Sequence, residues 1–279
     1  MIFEYYYPFK IISQQNLQQN MTEYKRHSIL GVGVNAINLS ETINLIEHWI
    51  QNHSSKYVCL APAHSIMSCY DNPDLYKIYN NSGLTVPDGM AIVWILQLAG
   101  WKNVGRVYGP DLLLSLCQQS ARKKHRHYFY GGNEPSLLSL IDTLNHHFPG
   151  MIIAGFESPP FRDLSMIEKE GVINRIQKVK ADIVWIGLGS PKQEIWMSEN
   201  ANLLKGAVLI GVGAAFDFIS GMKPQAPRWV QRIGMEWFFR FLSEPSRLWR
   251  RYIINYPRFV LLVFLQYLGI LKIQAISKD

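Results

Sequence analysis

The 279-residue sequence has few cysteines and no apolar run long enough to cross a membrane. Its three cysteines, Cys59, Cys69 and Cys117, form no Cys-x-x-Cys pair, and no histidine cluster has the spacing of a zinc site. These absences argue against a disulfide scaffold and a zinc module, and they predict buried thiols in a reduced, cytoplasmic setting. Met1 to Asn20 is polar and aromatic and lacks the continuous apolar core of a signal peptide.

Repeats and nucleotide-binding glycine fingerprints are also missing. The chain shows no internal repeat and no low-complexity segment. Gly31-Val32-Gly33 lies inside the first predicted strand and is not followed by a third glycine, so a Gly-x-Gly-x-x-Gly fingerprint is absent there. This absence counts against an NAD(P)-dependent oxidoreductase, which nevertheless stays an alternative because glycine turns follow several predicted strands.

Acidic residues are scarce relative to basic ones. The chain has 28 Lys and Arg against 21 Asp and Glu, a formal net charge of +7 and 13% aromatic residues. A basic balance of this kind favours an anionic partner such as phosphate groups, a lipid surface or nucleic acid. The length allows one or two domains with a full hydrophobic core.

The stretch Ala181 to Gln193 best shows the predicted architecture. Ile183 to Gly187 is a continuous apolar run, typical of a strand covered on both faces. Gly187 and Gly189 allow a tight turn, and Pro191 suits the first position of a helix. A helix N-terminus after such a strand is a ready anion site, where Lys192 and Gln193 would face a ligand, although an ordinary connection fits as well.

Short strands alternate with helices in this way from residue 29 onward. The alternation predicts an α/β fold with a mostly parallel sheet of doubly wound type. We therefore divide the chain into an N-terminal extension (1–28), an α/β domain (29–221) and a C-terminal appendage (222–279).

The C-terminal appendage differs in composition from the rest. Residues 222–258 hold eight basic and two acidic side chains with interleaved aromatic residues, and 259–271 is nearly all apolar. That run is too short to span a bilayer, which needs about 20 residues, but it fits a helix lying in the lipid interface. Two alternatives remain: a helical pair packed on the domain, and a non-catalytic module that binds membrane or nucleic acid.

Four side chains near predicted strand ends are candidates for chemistry. Asp88 follows a strand and could accept a proton from a sugar hydroxyl, or it could cap a helix; Asp217 has the same ambiguity. Arg106 could bind phosphate or pair with Asp111. His64 is a proton carrier or, more often in such positions, a structural histidine. No metal site can be read from the spacing of these residues.

Several motifs in order resemble the WecG/TagA/CpsF glycosyltransferases of bacterial cell-surface polymer synthesis. The resemblance runs from about Ile29 to Phe259. Its blocks are Val86-Pro87-Asp88-Gly89-Met90, Arg106-Val107-Tyr108-Gly109-Pro110-Asp111, Tyr130-Gly131-Gly132, Gly187 to Glu194, Gly211 to Phe218 with Gly221, Ala226-Pro227-Arg228-Trp229, Gly234-Met235-Glu236-Trp237 and Glu244 to Tyr252.

The resemblance implies transfer of an N-acetylmannosamine-type or related hexosyl unit from a UDP-sugar to a sugar on a polyprenyl diphosphate. It also implies a Rossmann-like fold with a cleft between two small sheets, inversion without a metal and no cofactor. The reaction would occur at the inner face of the cytoplasmic membrane, which the appendage would contact while closing the site. A homo-oligomer is compatible with the resemblance, and no nucleic acid is expected as a partner.

Carried onto this sequence, the resemblance makes Asp88 the general base. The residues expected to bind the substrates are His64, Arg106, Gly187, Gly189, Lys192, Gln193, Asp217, Arg247, Arg250 and Arg251. The three C-terminal arginines would reach the diphosphate, because growing charge on a leaving UDP needs guanidinium or helix N–H groups when no divalent ion is present. Ala61 stands where many members have Thr or Asn, so His64 is expected to fill part of that role.

Overall fold

The structure, a computed structural model, describes residues 25–273. Its strands are β1 (Arg26–Ile29), β2 (Val32–Asn35), β3 (Lys56–Ala61), β4 (Leu84–Pro87), β5 (Arg126–Gly131), β6 (Ile152–Glu157), β7 (Ile183–Gly187) and β8 (Val208–Gly211). Most of the predicted N-terminal extension, residues 1–24, lies outside the described residues.

Helices separate these strands and form the C-terminal end of the described chain. They are α1 (Leu39–Gln51), α2 (Ala63–Asp71), α3 (Pro73–Asn81), α4 (Met90–Leu98), α5 (Gly109–Lys123), α6 (Glu134–His147), α7 (Met166–Lys178), α8 (Lys192–Asn200), α9 (Ala215–Ile219), α10 (Arg228–Arg232), α11 (Glu236–Ser243), α12 (Pro245–Trp249), a π-helical turn (Arg250–Asn255) and α13 (Tyr256–Tyr267).

Six strands form one parallel sheet in the order β4-β3-β8-β7-β5-β6. β1 and β2 form a separate antiparallel hairpin. The predicted α/β class with a parallel, Rossmann-like sheet is confirmed. The expected cleft between two small sheets is not what the structure shows. Among residues 25–273 all the parallel strands belong to a single sheet, and the second sheet is the two-stranded hairpin.

The sheet has a hydrophobic core on each face. Val184 and Ile186 of β7 point into one core, and Ile183 and Trp185 point into the other. All four side chains are fully buried. This is why β7 shows a continuous apolar run rather than an alternating one. Because all six strands run in the same direction, their carboxyl ends meet along one edge of the sheet.

The residues just before α1 and α8 determine where these helices start. Asn38 caps α1: its side chain accepts from Glu41 N–H, and the Glu41 carboxylate accepts from Asn38 N–H. This reciprocal capping box satisfies two donors at once. Pro191 precedes α8, which begins at Lys192.

The appendage packs back on the α/β domain through polar anchors as well as apolar contacts. Arg258 makes a bidentate ion pair with Asp71, with both distances 2.7 Å. Gln266 accepts from Leu30 N–H at 2.8 Å and donates to Ser28 O at 2.9 Å. Within residues 25–273 no helix has the length and apolarity needed to cross a bilayer.

Candidate active site

Two cavities meet at the carboxyl edge of the sheet. A smaller, polar cavity of about 180 Å³ lies over the ends of β3, β7 and β8. A larger, mainly apolar cavity of about 740 Å³ lies between α4 and the appendage. Four residues line both cavities and mark where they join: Pro62, His64, Asp88 and Arg240. We call the first the polar cavity and the second the apolar cavity.

Asp88 sits at this junction because it follows β4 directly. It does not cap α4, whose N-cap is Gly89 with no side-chain cap. The positive φ of Gly89, 130°, lets the chain turn sharply from strand to helix and leaves the carboxylate facing the cavities. Of the two roles considered from sequence, the capping role is therefore wrong.

The Asp88 carboxyl group is held in a buried setting. Its side chain is 20% exposed, and Oδ1 is buried without a hydrogen-bond partner in the described part of the chain. Arg106 Nη2 lies 3.5 Å from Oδ1. Burial raises the pKa of Asp88 to about 6, while the positive charge of Arg106 opposes that rise and the negative charge of Glu236 adds to it. A carboxyl group with this pKa is suited to proton transfer near neutral pH.

Arg106 does not pair with Asp111 and does not face the polar cavity. Its Nη2 lies 2.6 Å from Glu236 Oε2, and its guanidinium stacks on the Tyr108 ring at 4.0 Å. Asp111 instead pairs with Arg228 at 2.7 Å. Arg106 therefore holds Asp88 and the first residue of α11 together at the wall of the apolar cavity.

Three arginines of the appendage line the polar cavity: Arg240, Arg247 and Arg251. Arg247 pairs with Glu244. Neither Arg240 nor Arg251 has an ion pair within residues 25–273. Burial and the neighbouring positive charges of Arg240 and Arg247 lower the pKa of Arg251. Asp88 and Glu236 lie near enough to Arg240 to interact with its charge, but the three guanidinium groups together still favour an anion in the polar cavity.

His64 lies beside these arginines. Burial, together with the charges of Arg251 and Arg240, lowers the pKa of His64 well below its ordinary value. The imidazole is therefore neutral at physiological pH, and it is able to accept a hydrogen bond at one nitrogen and donate one at the other.

The backbone side of the polar cavity comes from loops after β7 and β8. Gly189, Ser190, Gln193 and the segment 211–215 line it. Gly213 has a φ of 54° and donates its N–H to Gln193 Oε1 at 3.0 Å. Part of the Gly187–Gln193 turn therefore lines a cavity, and the expected approach of this turn to a donor stays a prediction.

Four expected site residues lie outside the linings of both cavities. Lys192 is exposed. Asp217 is held by Lys223 at 3.0 Å and by the Ser136 hydroxyl at 2.9 Å. Arg250 stacks on Trp249 with 5.3 Å between guanidinium and ring, and Gly187 packs on the Phe216 ring. Their assignment to substrate binding stays a prediction from the sequence pattern and the resemblance.

Sequence reasoning missed Arg240 and Glu236 as site residues. They are four residues apart on α11, so both point to the same side of the helix and face Asp88 and Arg106. The Glu-x-x-x-Arg spacing within an aromatic helix was the available signal.

Comparisons with known proteins agree with this geometry. The family model for the glycosyl transferase WecG/TagA/CpsF family matches residues 27–272. An N-acetylglucosaminyldiphosphoundecaprenol N-acetyl-beta-D-mannosaminyltransferase of Bacillus spizizenii is 28% identical over 225 residues, covering 79% of this chain and 85% of the relative. A protein of the same description from Bacillus subtilis (strain 168) is 27% identical over 227 residues, covering 81% and 86%. The chain belongs to the WecG/TagA/CpsF family of glycosyltransferases.

Proposed function

We propose that the protein transfers an N-acetylmannosaminyl or closely related hexosyl unit from a UDP-sugar to a sugar carried on a polyprenyl diphosphate. The family and the names of the two Bacillus relatives support this substrate class. The observation that carries the proposal is the position of Asp88, which lines a polar, arginine-rich cavity and an apolar cavity at once.

The polar cavity is the donor side in this proposal. Arg240, Arg247 and Arg251 supply positive charge, and the loops after β7 and β8 supply glycines that allow close approach of a ligand. A nucleoside diphosphate develops negative charge as its bond to the sugar breaks. Guanidinium groups already in place stabilise that charge without reorganisation, which is typically the largest contribution to such catalysis. The proposed reaction therefore does not depend on a divalent ion.

The apolar cavity is the acceptor side. Met90, Ile92 and Trp94 of α4 form one part of its wall, and Val260, Leu261 and Phe264 of α13 form another. α4 begins directly after the Asp88-Gly89 turn, so this wall leads away from the carboxylate. A glycolipid could therefore present its sugar hydroxyl at Asp88 while its apolar part lies between the two helices.

The chemical step follows from this placement. Asp88 takes the proton of the acceptor hydroxyl as that oxygen forms a bond to the anomeric carbon. The bond between the anomeric carbon and the diphosphate oxygen breaks, and its electron pair leaves with UDP. Attack from the side opposite the leaving group inverts the anomeric centre.

Side chains on α13 and its C-terminal turn suit contact with a membrane surface. Leu261, Phe264, Tyr267, Leu268 and Ile270 are between 51% and 81% exposed. Aromatic and apolar side chains near arginines are typical of a helix in the lipid interface. We place the enzyme at the inner face of the cytoplasmic membrane, where a nucleotide-sugar and a lipid-linked acceptor are both available.

A direct assay tests the proposal. The purified protein is incubated with individual UDP-sugars and a short-chain polyprenyl diphosphate carrying N-acetylglucosamine, and release of UDP is measured with and without EDTA. We expect turnover with UDP-N-acetylmannosamine or a related sugar, and no loss with EDTA. A protein that oxidises NAD(P)H but transfers no sugar would contradict the proposal. Sugar transfer that disappears with EDTA and returns with manganese would also contradict it.

A further inference from the structure

Gln193 and Glu194 form a pair of buried polar side chains in the lining of the polar cavity. Gln193 is 4% exposed and Glu194 is 1% exposed, although both lie on the first turn of α8. Gln193 was singled out from sequence, whereas Glu194 was not. A buried carboxylate is costly unless it is hydrogen-bonded, so its position needs a reason.

The orientation of the Gln193 side-chain amide follows from its two neighbours. Gly213 N–H lies 3.0 Å from one end of the amide. A backbone N–H can only donate, so that end must be the oxygen. The other end, Nε2, lies 2.9 Å from Glu194 Oε1, an acceptor. The amide is therefore held in one orientation, with its oxygen toward Gly213 and its nitrogen toward Glu194.

Glu194 is itself fixed from behind. The Tyr79 hydroxyl lies 3.2 Å from both Glu194 Oε1 and Leu60 O, which share its single hydrogen, and the Tyr79 side chain is fully buried. Burial raises the pKa of Glu194, while hydrogen bonds from Gln193, Ser190 and Tyr79 lower it. Oε2 has no hydrogen-bond partner within residues 25–273. The carboxyl group is thus aimed at the amide rather than at solvent.

Space for this arrangement comes from two glycines at the end of β8. A side chain at Gly211 would come within 3.1 Å of Gln193 Nε2, and one at Gly213 would lie 3.6 Å from Gln193 Oε1. Gly189 O accepts from Gln193 N–H at 2.9 Å, which holds the backbone of the same residue.

We infer that Glu194 is a positioning residue, which orders Nε2 of Gln193 so that it presents an N–H group to the polar cavity. The amide oxygen accepts from Gly213 N–H, and one hydrogen of Nε2 is donated to Glu194. The second hydrogen of Nε2 is available to a ligand, because Gln193 lines the cavity. The ligand group recognised by that N–H is a hydrogen-bond acceptor oxygen.

This inference rests on the proposed function, in which the polar cavity holds the UDP-sugar. Several of its oxygens have the required chemistry: uracil carbonyls, diphosphate oxygens and the acetamido carbonyl of the sugar. Binding of UDP and of the intact UDP-sugar, measured separately by calorimetry, separates these sources. Loss of affinity for both assigns the oxygen to the nucleotide, and loss only for the UDP-sugar assigns it to the sugar; each result supports the inference.

The test is a set of substitutions measured for donor KM, kcat and thermal stability. In Glu194→Met the amide keeps its contact with Gly213 N–H but Nε2 loses its acceptor and becomes less well ordered, and we expect donor KM to rise about threefold to tenfold with kcat changed less, as for one hydrogen bond to a ligand. Glu194→Gln keeps an acceptor oxygen beside Nε2 and should restore KM to within about twofold of the wild type. In a Gln193→Leu background, Glu194→Met should add no further rise.

A matched control is Glu47→Met. Glu47 is also buried, with Oε1 unpartnered in the described residues, but it pairs with Lys123 and His125, which precede β5 at the opposite edge of the sheet. It should lose stability without a change in donor KM. If Glu194→Met does not fold, Glu194→Asp, which retracts the carboxylate by one methylene, should raise KM in the same direction.

An unchanged donor KM in Glu194→Met, or effects that add with Gln193→Leu, would overturn the inference while leaving the proposed function intact. A wild-type protein that binds neither UDP nor any UDP-sugar would overturn both.

Discussion

Arg106 Nη2 lies 3.5 Å from Asp88 Oδ1 and 2.6 Å from Glu236 Oε2. One guanidinium therefore links the carboxyl end of β4 to the first residue of α11. Because Arg106 is closer to Glu236, it holds Asp88 in place without fully neutralising it, which agrees with a pKa of Asp88 that is raised to about 6. The C-terminal appendage thus takes part in setting the chemistry of a residue in the α/β domain.

Asp88→Asn is expected to abolish transfer and leave UDP affinity near normal. The amide cannot accept the hydroxyl proton, and general-base catalysis is typically worth about 10²–10⁴-fold. Steady-state transfer assays and calorimetry with UDP check the two halves of this prediction. A variant that keeps more than about a tenth of wild-type activity would reject Asp88 as the base.

The activity is expected to fall as the pH drops through about 6, where Asp88 becomes protonated. Glu236→Gln removes a negative charge that raises the pKa of Asp88, so the acidic limb of the kcat/KM profile should move to lower pH. The folded-state pKa lies above the ordinary value of 3.8, so ionisation of Asp88 costs stability. That cost is absent below pH 3.8, grows as the pH rises, and is complete above about 6. Asp88→Asn should therefore melt no lower than the wild type at pH 7.5. For the kinetic prediction, an acidic limb that stays at the same pH in Glu236→Gln would contradict the electrostatic account.

Replacing the cavity arginines is expected to slow transfer strongly. Arg240→Gln and Arg251→Gln each remove a guanidinium from the polar cavity, and loss of one such group typically costs about 10²–10³-fold in kcat. Arg250→Gln should cost less than tenfold, because Arg250 does not line that cavity. Arg122→Gln, on the exposed end of α5, controls for net charge. Equal losses at all four positions would show that only overall charge matters.

Membrane binding is expected to depend on the apolar side chains that follow α13. Leu268 and Ile270 are 51% and 67% exposed, and replacing both by serine should weaken partition into vesicles with anionic lipid at least tenfold, since full burial of such a side chain is worth about 1.5–3 kcal/mol. Sedimentation with vesicles measures this. Leu203→Ser, at a residue 52% exposed before β8, is the matched control.

Removing residues 260–279 should also free the protein from membranes, as the sequence predicts. Residues 274–279 lie outside the described range. The deletion also removes Gln266, which holds the turn between β1 and β2, so the point variants are the cleaner test. Recovery of either form in the membrane fraction at the wild-type level would count against the interfacial interpretation.

Gly187→Ala is expected to reduce stability rather than act first on donor binding. A side chain there would come within 2.5 Å of the Phe216 ring, whose side chain is 1% exposed. Overpacking of this kind typically costs about 1–3 kcal/mol, which a lowered melting temperature would show. Gly189→Ala meets no atom of residues 25–273 within 4 Å and serves as the comparison, although its φ of 76° disfavours alanine. An unchanged melting temperature for Gly187→Ala would restore Gly187 as a ligand-contacting position.

The class of the fold and the placement of Asp88 follow from the amino-acid pattern alone. The continuous apolar runs of β3, β7 and β8 require a sheet that is buried on both faces. A carboxylate directly after β4 must then lie at the carboxyl edge of that parallel sheet. Local chemistry of this kind is readable because it depends on neighbouring residues and on the two-residue period of a strand.

The pairing of charged side chains, in contrast, depends on how distant parts of the chain pack together. Arg106 forms an ion pair with Glu236 rather than with Asp111, and Asp217 forms one with Lys223. Arg240 rather than Arg250 lines the polar cavity. These choices depend on how the appendage crosses the sheet edge and on which side of a short helix each arginine projects. Long, flexible basic side chains pair with the carboxylates that tertiary packing places within a few ångströms. Their pairing therefore follows from contacts between distant segments and not from the sequence around them.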